Sequence, residues 1–389
     1  MSHFNTVINR KQTASVKWDL TKEIFGTDDL LPMWVADMDF PAPQEVLDAL
    51  KNRLDHGIFG YTSTTIETKE SICKWLKTRH GWEISEEDIT YSSGVVTALS
   101  MAVQAYTEPG DKVIVQSPVY TPFFQMAKEN DRIVENNQLI LTNHQYEMDF
   151  EGLENILKED KVKLLLLCNP HNPVGRVWTR EELIKLGELC LKYNVVVVSD
   201  EIHSDLILFG HKHIPFASLS EEFKNNSITC IAPSKTFNLA GLQASAIIIP
   251  NDSLRRKFNE QQHRQGFFTL NTFGFVAMEA AYTYGEPWLT ELLAYLEENV
   301  IRLKEFINQE IPNIKIIEPE STYLVWLDCR AMGLSDQELK RKLLLYGKIA
   351  LEPGNKYGEG GEGFLRINLA CPKDTLEEGL LRLKKALAS

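Results

Sequence analysis

The sequence predicts an α/β fold, a mostly parallel central sheet with helices on both faces, followed by a smaller α+β domain. Three observations carry this prediction. Apolar runs that do not alternate, 162–168 and 195–198 among them, read as strands buried on both faces. Helix-period stretches such as 180–193 fall between such runs, the pattern of repeated β-α units. A chain of 389 residues, 43% of them hydrophobic, is long enough for two or three domains around a sizeable core.

In chain order, the first forty residues are irregular and end in Leu31-Pro32-Met33-Trp34-Val35-Ala36-Asp37-Met38-Asp39-Phe40-Pro41. This stretch reads as an extended arm or as a strand that packs its Trp and Met into the core. Val46, Leu47, Ala49, Leu50 and Leu54 share one side of a helix. Phe59-Gly60-Tyr61-Thr62 is a glycine-marked turn, in which Tyr61 alone reads as a packed loop residue. A helix follows over 67–79. Tyr91-Ser92-Ser93-Gly94-Val95-Val96-Thr97 then enters an apolar helix over 98–106. A small-residue turn at a helix start leaves backbone N–H groups free at a positive dipole end, which suits a phosphate. Ser and Gly also open ordinary helices.

Strands follow at 111–116, 162–168, 195–198, 228–232 and 246–249, with a helix at 180–193. A helix over 287–309 is long enough to bridge two domains. Strands at 314–317 and 323–327 and helices at 336–346 and 376–388 complete a smaller α+β domain. The expected organisation is an arm, 1–45, belonging to the small domain, a large α/β domain, 46–285, and a C-terminal α+β domain, 286–389.

Composition excludes several functions. A net charge of −13 argues against nucleic acid, whose phosphates are met by Lys and Arg. The six cysteines form no C-x-x-C pair and mostly lie in apolar stretches, as reduced thiols do. Met1-Ser2-His3-Phe4-Asn5 lacks the charged and apolar regions of a signal peptide. No apolar run approaches the roughly 18 residues of a membrane span. The expectation is a cytoplasmic protein with no membrane partner. His211 and His213 stand in a loop without a third ligand, so no metal site is expected. Neither G-x-x-x-x-G-K-[ST] nor a strand-linked G-x-G-x-x-G occurs.

The most informative stretch is 195–242. Asp200 stands where the valine strand ends, and ligands bind at the carboxyl ends of strands in open α/β sheets. The strand over 228–232 ends just before Lys235. A carboxylate and an amine thus leave buried strands at one sheet edge. Pyridoxal phosphate needs that pair, a lysine for its Schiff base and an acid for its pyridinium nitrogen. Taken singly, each residue reads equally as an ordinary strand-end charge.

Several stretches together resemble one family, the fold-type I pyridoxal-phosphate enzymes of aminotransferase class I/II. Within it the likeness is to the MalY/PatB type of cystathionine β-lyase, or cysteine-S-conjugate β-lyase. The matching segments are Trp34-Val35-Ala36-Asp37-Met38-Asp39-Phe40, Gly60-Tyr61, Asn169-Pro170-His171-Asn172-Pro173-Val174-Gly175, Asp200-Glu201-Ile202-His203-Ser204-Asp205-Leu206, Ala232-Pro233-Ser234-Lys235-Thr236-Phe237-Asn238 and Phe364-Leu365-Arg366-Ile367-Asn368-Leu369-Ala370.

The resemblance implies roles. Lys235 would carry the cofactor and move protons as general base and acid, with Tyr61 and Tyr120 as the other catalytic groups. Asp200 would pair with the ring nitrogen, Asn172 with the ring hydroxyl, and Tyr120 would stack on the ring. Gly94, Val95 and Val96 would hold the phosphate through backbone N–H groups, with Ser234 and His203 also against the cofactor. Tyr61 would reach the phosphate from a second subunit, which implies a homodimer. Arg366 would bind the substrate carboxylate with its bidentate fork, alongside Asn172 and Asp37. Asp37 and Asp39 read either as shaping substrate access or as capping a turn.

Two departures from the wider family stand out. His203 occupies a place where many members have Tyr, and 240–245 lacks the phosphate-gripping Arg. Both agree with the lyase branch. After Cα loses its proton, protonation of the cofactor leads to transamination. Expulsion of a thiolate from Cβ leads to pyruvate and ammonia. The shared residues do not choose between these exits, and the branch-level resemblance points to elimination from a sulfur amino acid. An aminotransferase is the second reading. A regulatory binding protein of the same fold is the third, and the presence of Lys235, Asp200 and Asn172 weighs against it.

Overall fold

The computed structural model describes residues 3–388. Met1, Ser2 and Ser389 lie outside them, and with them part of the stretch read as lacking a signal peptide. The centre is a seven-stranded sheet. Its strands in chain order are β1 (Ile89–Ser92), β2 (Lys112–Val115), β3 (Ile133–Asn136), β4 (Val162–Cys168), β5 (Val196–Asp200), β6 (Ser227–Ile231) and β7 (Ser245–Ile248). Their spatial order is β1-β7-β6-β5-β4-β2-β3. The ladders from β6 to β3 are parallel, and β7 alone runs against both of its neighbours.

The missing alternation in β4 has a simple cause. Leu164 and Leu166 pack on one face with Ala98, Leu99 and Ala102 of helix α1 (Val95–Tyr106). Leu165 and Leu167 pack on the other with Leu183 and Leu186 of helix α2 (Arg180–Lys192). Each side of the strand meets a helix, so both must be apolar. Helix α2 starts with a capping box, Thr179 and Glu182 each bonding the other's backbone N–H.

Helix α3 (Glu286–Glu310) runs on to the C-terminal part, where β8 (Lys315–Ile317), β9 (Leu324–Asp328), β10 (Glu352–Pro353) and β11 (Phe364–Asn368) form an antiparallel sheet in the order β8-β9-β11-β10. Helix α4 (Lys373–Leu387) follows.

The arm is partly strand and partly irregular strap. Leu31–Pro32 pairs in parallel with Ile349–Ala350. Met33 and Trp34 are buried behind it. From there the chain crosses β11, with the Asn368 N–H donating to the Met33 carbonyl at 3.0 Å.

Two sequence expectations shift, and two features were not foreseen. Helix α1 opens at Val95, three residues before the expected 98, so the small-residue turn itself carries the helix start. The valine strand begins at Val196 and reaches Asp200 itself. The strand near 246–249 is antiparallel, because β7 returns from β6 through the short segment that carries Lys235. Strands β1 and β3 carry no apolar run, and sit at the two sheet edges with half-exposed residues.

The arm is anchored by a charge cluster. Asp39 is buried and accepts from Lys17 Nζ at 2.7 Å, Arg10 at 2.7 Å and the Trp18 indole at 2.9 Å. Removing one partner of a buried ion pair strands the other's charge. Lys17→Met is expected to lower the unfolding free energy by about 3 kcal/mol in denaturant titrations. Lys51→Ala, which removes the exposed pair with Asp55, is expected to leave it unchanged within error.

Candidate active site

Asp200 ends β5, in register with Cys168 of β4 on one side and Cys230 of β6 on the other. One residue past β6 the chain turns at Ala232, in extended conformation, into the single helical turn Pro233–Thr236. Lys235 lies on that turn. Parallel pairing of β5 and β6 therefore delivers both groups to one edge of the sheet.

They line a cavity of about 290 Å³, together with Ser93, Gly94, Val95, Val96, Thr97, Tyr120, Cys168, Asn172, Ile202, His203 and Ser234. Ala36, Ala240, Gln243 and Ala244 complete its wall.

Burial moves the two charged groups in opposite directions. Asp200 is raised to about 7, chiefly by desolvation, while its bond from the Ile202 N–H and the charge of Lys235 pull it back. Lys235 keeps some accessible surface, yet desolvation and the nearby Arg366 lower its amine to about 8. Lys235 Nζ donates to the Ala36 carbonyl at 2.6 Å. His203 is lowered to about 3 by burial, Lys235 and Arg366, so it is neutral there.

One end of the cavity is the start of α1. Gly94 provides no side-chain cap, so first-turn N–H groups face this end without a capping oxygen. No arginine lines the cavity among the described residues. Among the described residues of this lining, none takes the place of the phosphate-gripping arginine missing from 240–245.

Asn172 enters from the turn after β4. Gly175 holds that turn against the C-terminal part with φ +75°, where an added Cβ would stand 3.1 Å from Pro319 Cα. Asn172 Oδ1 accepts from Arg366 NH1 at 3.1 Å, and its Nδ2 has no protein partner among the described residues. Arg366 comes from β11, and its NH2 donates to the Trp34 carbonyl at 2.8 Å. Its buried Nε is left without a partner.

Other expected residues fall elsewhere. Asp37 does not line the cavity, because Arg10 takes both of its carboxylate oxygens, at 3.0 and 2.7 Å. Its neighbour Ala36 lines the cavity instead. Tyr61 is fully exposed and does not line the cavity of its own chain. His171 is buried behind the site, against Gln116 and Trp178.

The sequence reading missed the residues that hold the strap 34–40. Asn238 accepts from the Met38 N–H and donates to the Met38 and Phe40 carbonyls, at 3.0, 2.9 and 2.9 Å. Asn368 donates to the Val35 and Asp37 carbonyls, both at 2.6 Å. The Tyr323 hydroxyl donates to the Ala36 carbonyl at 3.1 Å. Asn238 and Asn368 lie inside matching segments, so their position was a signal.

An amine and a carboxylate at one sheet edge, facing an uncapped helix start, is the site architecture of fold-type I enzymes. The chain belongs to the aminotransferase class I and II family, which matches residues 28–383. Among curated proteins it is 57% identical over 386 residues to cystathionine beta-lyase PatB of Bacillus subtilis, covering 99% of this chain and all of that one. Among solved structures it is similar to cystalysin from Treponema denticola, which contains a pyridoxal 5'-phosphate cofactor. Identity there is 39% and TM-score 0.96, over 99% of this chain and 98% of that one. It is also similar to the PLP-bound C-S lyase from Staphylococcus hominis, at 34% identity and TM-score 0.93, over 100% and 99% of the two chains.

In the ligand-free chain, folded Asp200 keeps its proton up to about 7, and unfolded it releases it near 3.8. The native state binds more protons between those values, so this residue makes stability fall as pH rises through them. Asp200→Asn is expected to raise the thermal midpoint of the ligand-free chain at pH 8. The gain should vanish below about pH 4. A gain independent of pH would show that Asp200 does not hold a proton in the fold.

Proposed function

We propose that this chain is a pyridoxal-phosphate-dependent carbon–sulfur β-lyase that cleaves cystathionine or a related cysteine S-conjugate. The products are a thiol, pyruvate and ammonia. The observation that carries this reading is the Asp200–Lys235 pair at the ends of adjoining strands, in a chain 57% identical along its length to a cystathionine beta-lyase.

The residues present fit the cofactor. The Asp200 carboxyl stays raised despite the charge of Lys235, and a protonated ring nitrogen would give it a direct cationic partner. The uncapped start of α1 and the Ser234 hydroxyl suit the phosphate, and the unpartnered Asn172 Nδ2 suits the ring hydroxyl. Tyr120, on the cavity wall, would cover the ring. When bound, pyridoxal phosphate withdraws electrons from the Cα of an attached amino acid, which no side chain here can do.

The chain does the rest. Arg366 stands behind the cavity wall and meets it through Asn172; its unpartnered Nε would bind the substrate carboxylate, in an orientation set by Asn172 and the Trp34 carbonyl. Lys235, with its pKa lowered to about 8, takes the Cα proton. The Ala36 carbonyl holds an amine hydrogen and so aims the nitrogen lone pair. The Cβ–S bond then breaks, sulfur leaves with the electron pair, and the lysine ammonium returns a proton to it. Water releases the remaining three carbons as pyruvate and the nitrogen as ammonia.

The same reading takes the protein as a cytoplasmic homodimer in which Tyr61 of each copy reaches the phosphate of the other. Supporting it are full exposure of Tyr61, the exposed Ile58 and Phe59 beside it in the chain, and the exposed Phe268, whose neighbour Thr269 donates to the Thr62 carbonyl at 3.0 Å. Five of the six cysteines are buried and none is paired, as in a reducing compartment. No described helix is long and apolar enough to cross a membrane. This reading also takes 1–45 as an arm of the small domain with 286–389 and takes 46–285 as the cofactor domain; the ladder from Leu31–Pro32 to Ile349–Ala350 supports the grouping.

Incubation with cystathionine and no keto acid is expected to release pyruvate and homocysteine. Amino transfer that needs a keto acid and gives no pyruvate would mark an aminotransferase instead. Lys235→Ala should remove the visible absorbance of the bound cofactor and lower kcat by about 10³-fold or more. Arg366→Lys should leave that absorbance intact and raise KM about tenfold, because one ammonium cannot hold Asn172, the Trp34 carbonyl and the substrate together as the guanidinium does.

A further inference from the structure

Two buried carboxylates that take no part in the chemistry stand behind the Asp200–Lys235 pair. Glu201 accepts from the Ser199 hydroxyl at 2.8 Å and the Phe216 N–H at 2.9 Å, and meets His213 Nε2 at 2.9 Å. Asp205 accepts from the Trp75 indole at 3.0 Å and meets His80 Nε2 at 2.9 Å through Oδ1. Arg79 Nε stands 3.4 Å from the same oxygen. The other oxygen, Oδ2, accepts from the Thr236 hydroxyl at 2.9 Å. The His80 and His213 rings meet edge to face at 5.2 Å, which joins the two carboxylates into one network.

Burial by itself would raise the Asp205 carboxyl. The bond and charge of His80, with Arg79 and Thr236, outweigh burial and hold it below the ordinary value, so it is an anion. A buried anion with several fixed donors is costly to move, and each donor is placed by it in turn.

Trp75 and His80 lie on the helix Ile66–His80, as does Arg79, whose NH2 donates to the Asp205 main-chain carbonyl at 3.1 Å. They suffice to stitch that helix to the loop after β5. The third partner of the carboxylate, Thr236, is different in kind. Thr236 is the residue after Lys235, and the turn they share is only four residues long. Backbone bonds from Phe237 to Pro233 and from Leu239 to Ser234 close it, and neither fixes how it rotates against the sheet. The Thr236–Asp205 bond ties the turn itself to the loop after β5, while Phe237 and Asn238 anchor the chain that follows it.

We infer that Thr236 and Asp205 are positioning residues for Lys235. The carboxylate, fixed by Trp75, His80 and Arg79, locks the turn through the Thr236 hydroxyl and so sets where the amine stands between Asp200 and the substrate Cα. The inference rests on the lyase reading for the reaction it serves.

The test compares Thr236→Val, which removes the hydroxyl at nearly constant shape, with Thr236→Ser, which keeps it, both as holoenzymes. Thr236→Val is expected to lower kcat by about 10- to 100-fold with KM within about twofold, the scale of a misplaced catalytic group. It should also move the pH midpoint of the bound cofactor's visible absorbance by about half a unit or more. Thr236→Ser should stay near the parent in both readouts. If Asp205 acts through this hydroxyl, Asp205→Asn combined with Thr236→Val should be no slower than the slower single variant.

A parent-like Thr236→Val overturns the inference, as does a Thr236→Ser as impaired as the valine variant. Singles whose effects multiply in the double variant also overturn it. Should Asp205→Asn not fold, the Val and Ser pair decides alone. If the parent releases no pyruvate, the lyase reading fails, and the absorbance midpoints of the two Thr236 variants still decide the positioning role.

Discussion

The parallel pairing of β5 with β6 is the constraint on which the site depends. It carries two ionisable groups to one edge of a buried sheet, where neither is comfortable. Asp200 is pushed up to about 7 and Lys235 down to about 8, so each sits near neutrality instead of far from it. Their values converge because burial penalises both charges and each only partly compensates the other. A ligand with a cationic nitrogen at one end and a carbonyl at the other relieves both. The strand register thus sets the chemistry of the site as well as its shape.

Around this pair the chain uses long-range ties. The strap 34–40 is held by Asn238 from the loop after Lys235 and by Asn368 from the C-terminal sheet. Arg366 reaches the same strap while orienting Asn172. Behind it, Arg10 and Lys17 neutralise Asp37 and Asp39. Residues near positions 10, 172, 238 and 368 therefore have to be in place together before the cavity has its walls.

Much of this was legible in the sequence. The runs at 162–168 and 195–198 stood out because helices cover both faces of the strands they form, leaving no polar side to blur them. The helix over 287–309 stood out by length, and runs 286–310. The edge strands β1 and β3 did not, since a half-exposed strand of four residues has the composition of a loop. Nor does hydropathy encode strand direction, so the reversal of β7 was invisible. Asp37 drew attention as a charge in a matching segment, yet the cavity takes the carbonyl of Ala36 beside it. The Asp205–Thr236 bond joins residues 31 apart that look unremarkable singly.

The contact between Lys235 and Ala36 has a consequence for genetics. Every amino acid brings the same main-chain oxygen, so the acceptor at this position is indifferent to which codon stands there. Exchange of side chains, natural or by design, would pass over it in silence. Only an edit to the polymer itself, such as an ester link in place of the peptide unit, would weaken that oxygen and expose its share of the work.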